Sequence, residues 1–184
     1  MMQKAAEIYN PQTVLPLLKP LSLVMQVILL LSAAFLLPAA AHATGLPVRW
    51  LLPMHWPVIL AGLCYGWRSG LLVGIGAPVL SHLVSGMPPV FMLPAMTVEL
   101  AAYGFIAGFA REGLKLNGFL SAALSLIGGR IVFLAIVLIT GAVAVPFADY
   151  LQTAMLPGIP AAIAQLLLLP LLANWWVGRE SNSE

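Results

Sequence analysis

The sequence predicts an all-α membrane protein of about six transmembrane helices, with both termini in the cytoplasm. Three features predict it: too few charges to face water, apolar runs separated by turn residues, and positive charge gathered on alternate connections. Of the 184 residues, 61% are hydrophobic and 8% charged, whereas a soluble domain carries roughly a quarter charged residues. Lipid is the solvent in which such a composition is cheap. The net charge is only +2, and no basic cluster with interleaved aromatics occurs, so no nucleic-acid partner is expected. Cys64 is the single cysteine, which rules out an intrachain disulfide.

The apolar runs place helices at 21–43, 56–66, 70–85, 92–110, 118–142 and 155–177. A full crossing takes about 20 apolar residues, so the short second and third runs are expected to form a tight, partly buried hairpin. Gly62, Gly66, Gly70 and Gly74 recur every four residues across the Trp67-Arg68-Ser69 turn. Small residues at that spacing let helix backbones approach closely in lipid. Residues 1–20 read as a cytoplasmic lead-in broken by Pro11, Pro16 and Pro20, residues 21–178 as the transmembrane domain, and residues 179–184 as a polar tail.

Positive charge sets orientation. The side of the termini holds Lys4, Lys19, Arg68, Arg111, Lys115 and Arg179, while the other holds only Arg49, with Asp149 near the foot of the last helix. Ala41-His42-Ala43 resembles a signal-peptidase site. The apolar run before it is longer than the 7–15 residues of a signal peptide, which favours an uncleaved anchor.

Ionisable residues inside spans are costly and mark functional candidates. Glu99 on the fourth helix is expected roughly 10 Å below the outer surface, and Arg130 on the fifth roughly 18 Å down. Gln165 on the sixth falls at an intermediate depth. Two readings stand: a solute site opening outward, or a Glu99–Arg130 ion pair with Gln165 bonding between helices. His42, His55 and His82 all close or open helices on the outer side. A histidine trio could bind a transition metal or a haem iron, although a lone interfacial histidine is usually just solvated. The stiff Ser85-Gly86-Met87-Pro88-Pro89 link is either a roof over a pocket or a plain connector. Trp50, Trp56, Trp67, Trp175 and Trp176 fall near the interfaces as anchors, with Trp56 beside His55.

No phosphate loop, H-E-x-x-H or G-x-S-x-G motif occurs. Glu99 has no second carboxylate inside a span to work with, so enzyme activity is not expected. A channel would want a repeated pore-lining feature or an oligomeric ring.

The run Leu52-Pro53-Met54-His55-Trp56-Pro57-Val58-Ile59-Leu60-Ala61-Gly62 resembles the start of the second helix in S components, the substrate-binding subunits of energy-coupling factor (ECF) transporters. The similarity continues through Gly86-Met87-Pro88-Pro89, Glu99-Leu100-Ala101-Ala102-Tyr103-Gly104 and Gly129-Arg130-Ile131-Val132 to Leu156-Pro157-Gly158-Ile159 and Gln165-Leu166. It covers roughly residues 30–177 in order. The resemblance implies a six-helix subunit of a prokaryotic cell membrane that captures a vitamin or similar micronutrient in an outer pocket. It would deliver that solute with a transmembrane coupling subunit and two ATPase subunits, which accounts for the missing phosphate loop. One departure concerns the A-x-x-x-A pair with which many members dock the coupling subunit. Here the corresponding half of helix 1 reads Leu23-Val24-Met25-Gln26-Val27-Ile28-Leu29. The expected solute site comprises His55, Trp56, His82, Met87, Glu99, Tyr103, Arg130 and Gln165, with no catalytic residue, metal or cofactor. The competing expectations are a self-sufficient channel or carrier, and a metal- or haem-binding uptake subunit using the outer histidines.

Overall fold

A computed structural model describes residues 14–16, 19–45, 48–140, 149 and 151–181. Lys4 and Pro11 of the lead-in, the expected end of the fifth helix at 141–142 and the last three residues of the tail lie outside them. The described residues form helices α1 (Pro20–Ala43), α3 (His55–Ser85), α4 (Leu93–Glu112), α5 (Gly118–Thr140) and α6 (Leu156–Ser181), each long and apolar enough to cross a membrane. A short α2 (Val48–Leu51) precedes α3. No strand occurs among the described residues.

Local residues account for how α1 begins and bends and where α3 ends. Pro20 sits at the first position of α1, where its missing N–H costs nothing. Pro38 would collide with the carbonyl one turn back, and α1 widens into a π turn over Ser32–Leu36 just before it. Gly86 adopts φ 72° and ends α3, its N–H bonding the His82 carbonyl at 2.8 Å.

α3 contains both the second and third expected helices. Gly66 stands at φ 83°, ψ −178°, outside helical geometry, and the chain doubles back there. Gly62 and Gly70 both press against the same carbonyl, that of Gly104 on α4. Eight residues of straight helix span about 12 Å, so only a reversal brings both positions to one atom. The turn is tighter than the expected Trp67-Arg68-Ser69 loop: those three residues are helical, and the positive φ of Gly66 alone turns the chain. Gly74 abuts the Leu100–Ala101 backbone, and Gly108 the backbone at Gly66 and Trp67. Glycine spacing therefore lays both arms of the hairpin on α4 at backbone contact.

The hairpin and α4 form the centre. Within its most apolar stretch α3 is 67% buried, against 17% for α1. Tyr65, Tyr103, Ile59, Leu63 and Leu100 fill the core. Leu23 and Val27 on α1, Ile127 and Ile131 on α5, and Leu167 and Leu171 on α6 point outward, as lipid-facing side chains do. The end carrying the α3–α4 link is termed outer below, following the charge pattern. At the inner end Leu15 is buried, and its N–H bonds the Cys64 carbonyl at 2.7 Å. That carbonyl belongs to the last turn of the first arm, which lacks helical partners beyond Gly66.

Candidate functional site

Glu99 lies in the second turn of α4 and is 4% exposed. Its Oε1 accepts a hydrogen bond from Arg130 Nη1 of α5 at 3.2 Å. The same oxygen lies 3.5 Å from Nε2 of His55, the first residue of α3. The His55 ring meets Tyr103 edge-on, with centroids 4.8 Å apart. Three helices thus bring one guanidinium and one imidazole ring to a single carboxylate oxygen. Such a carboxylate is stable in a dry interior only with partners of this kind, because desolvating a lone charge costs several kcal/mol.

Neighbouring residues shape this cluster. A Cβ on Gly129 would strike the Tyr103 ring, so glycine lets that ring lie against α5. Ser125 Oγ donates to the Tyr103 carbonyl at 2.7 Å. On α6, a Cβ on Gly158 would stand 2.7 Å from Arg130 Nη2, so the guanidinium rests against bare backbone there. Leu52 also reaches Gly158. α2 packs on the start of α6, and Trp56 Nε1 donates to the Leu51 carbonyl at 2.8 Å. Leu52 itself is held at φ 46°, a left-handed backbone that a leucine rarely adopts. The segment from α2 to Met54 therefore folds over the Arg130 side of the cluster.

The expected site residues divide into groups. His55, Glu99, Tyr103 and Arg130 come together, with Trp56 one residue from His55. Gln165 is fully buried on α6, without a hydrogen bond to the cluster. His82 instead bonds the Pro88 carbonyl through Nδ1 at 2.8 Å, bracing the outer link, where Met87 is exposed. His42 is exposed at the end of α1. Among the described residues no group of three or more His, Cys, Asp or Glu stands close enough to hold a metal. Gly129, Gly158, Ser125 and the α2 segment were not expected at the cluster. The dipeptide Gly129-Arg130 carried a signal, since a glycine beside a long charged residue permits close approach; Gly158, Ser125 and the α2 segment carried none. A separate apolar cleft lies between α1, the first arm of α3 and α6, lined by Met25, Leu29, Leu60, Cys64, Leu172 and Trp176 among others.

The fold defines a multi-pass membrane protein whose interior holds a buried charge pair. A model of the family "ECF transporter, substrate-specific component" matches residues 13–175, and the chain belongs to that family. Neither a curated protein nor a solved structure gives a significant match. The chain is accordingly a substrate-capture subunit of an ECF transporter, a membrane protein that binds a small molecule and works with the transporter's membrane and ATPase components.

Proposed function

We propose that the chain captures a vitamin or similar micronutrient from the outer side of a prokaryotic cell membrane, at the layer built by Glu99, Arg130, His55 and Tyr103. The observation that carries this reading is the Glu99 carboxylate shared between Arg130 at 3.2 Å and His55 at 3.5 Å, beneath the α2 segment. Charged hydrogen-bonding groups in a water-poor layer bind polar solutes strongly, because each bond there competes with little solvent. His55, Trp56, Tyr103 and Gln165 supply further contacts, with His82 and Met87 at the outer rim. A transmembrane coupling subunit and two ATPase subunits complete the importer, and both termini face the cytoplasm with those ATPases.

Reconstitution tests this reading. Liposomes carrying the chain alone should bind solute without ATP-driven accumulation, and adding the coupling and ATPase subunits should start accumulation. Concentrative uptake by the chain alone would overturn the proposal in favour of a self-sufficient carrier.

A further inference from the structure

Gln165 is fully buried in α6, and neither its amide nitrogen nor its oxygen has a hydrogen-bond partner. On the facing helix the Ser121 hydroxyl is equally buried and equally unpaired. Several interior side chains find a backbone carbonyl, whereas the Ser22 and Ser69 hydroxyls and the His55 ring nitrogens share the unpaired state. Ser125 bonds the Tyr103 carbonyl, Thr97 the Leu93 carbonyl, and Gln26 returns its amide to the Ser22 carbonyl one turn back. Gln165 does not make that return bond, although its helix offers one. A buried amide with both ends open is expensive, and it calls for an occupant.

Register places this pair relative to the charge cluster. α5 and α6 run antiparallel: Gly158 meets Arg130 near one end, and Gly118 meets Pro170 and Asn174 near the other. Seven residues from Gly158 bring the chain to Gln165, about 10 Å further inward. The same depth on α5 falls between Ser121 and Ser125. Ala161, a small residue, lies along the intervening stretch of α6.

The two levels differ in charge. Outermost, Arg130 is the more accessible member of the ion pair, 21% exposed against 5% for Glu99. Its Nη1 serves Glu99, while Nη2 lies against Gly158 and makes no hydrogen bond among the described residues. A guanidinium edge of that kind suits an anionic oxygen group. Innermost, Gln165 and Ser121 offer only uncharged donors and acceptors, and an ion placed there would go uncompensated.

We propose that the captured solute is elongated, with an anionic group outermost against Arg130 and an uncharged amide- or lactam-like group innermost against Gln165 and Ser121. This rests on the capture reading and adds the chemical class and orientation of the solute. The test begins with the molecule that the purified full chain retains, identified by mass spectrometry and added back in pure form to emptied protein. That molecule should carry an acidic group and an amide, lactam or similar group. Gln165→Leu should weaken its binding by about ten- to hundred-fold, one lost buried contact. The emptied variant should melt at or above the wild-type temperature, because an unsatisfied amide has gone. Ser121→Ala provides a gentler second variant with the same direction on affinity. Affinity unchanged in both variants would leave Gln165 and Ser121 as holders of buried water and overturn the inference, as would a retained molecule without an acidic group. A wild-type chain that retains no solute at all sinks the capture reading itself.

Discussion

The backbone N–H of Trp67 donates to the Glu112 carboxylate at 3.1 Å, so a side chain on α4 caps the first turn of the neighbouring arm. Helix N-termini carry unsatisfied N–H groups and partial positive charge, which a carboxylate relieves. Here the cap is supplied across the bundle, and it fastens the hairpin bend to α4 where Gly66 turns the chain.

That cap predicts a graded series at the inner end. Glu112→Ala should cost about 0.5–2 kcal/mol, the usual range for a lost cap. Gly66→Ala should cost more, because φ 83° strains any side chain and the new Cβ would strike the Glu112 carboxylate. Thermal unfolding in detergent would rank the two. A Gly66→Ala protein as stable as wild type would contradict the hairpin geometry.

Gly104 should be intolerant of even a methyl group. A Cβ there meets the Gly70 backbone, which cannot yield as a flexible side chain would, so overpacking should cost about 1–3 kcal/mol in Gly104→Ala. Gly178, with open space around it in α6, provides the control. Gly178→Ala should be neutral or stabilising by up to about 1 kcal/mol, through helix propensity.

The Glu99–Arg130 pair separates scaffold from site when its two members are removed singly and together. Arg130→Met strands the buried Glu99 carboxylate and should cost roughly 3–5 kcal/mol, and Glu99→Met, which strands the more accessible guanidinium, should cost less. The double exchange removes the desolvation penalty with the charges, so its thermostability should recover while solute binding is lost. Paired melting and affinity measurements on all three variants check this. A stable double mutant that still binds tightly would leave the pair structural and move the site outward, toward His82 and the link from Gly86 to Pro89.

The distribution of positive charge predicts the topology. Reporter fusions at residue 184 and near residue 115 should both report cytoplasm, because lysine and arginine gather on that set of connections. An extracytoplasmic signal from either fusion would overturn the orientation.

The all-helical membrane architecture was legible from the residues because lipid imposes a one-dimensional rule: an apolar run of sufficient length, bounded by turn residues, becomes a helix. The hairpin was legible from four glycines at one spacing, and Glu99 and Arg130 stood out because a charge in a span is rare. Tertiary structure alone decided the rest. It sent His55 to Glu99 and His82 to the Pro88 carbonyl, although both histidines were expected at outer helix ends and in one solute site. Gln165, expected at an intermediate depth beside the charge pair, is fully buried and makes no hydrogen bond to either of its members. The Arg130 guanidinium and Leu52, just after α2, both close on the bare backbone of Gly158. Such contacts depend on the rotation and axial register of packed helices. Interdigitation of side chains from several distant segments sets those two quantities, and the periodicity of any one helix does not contain them.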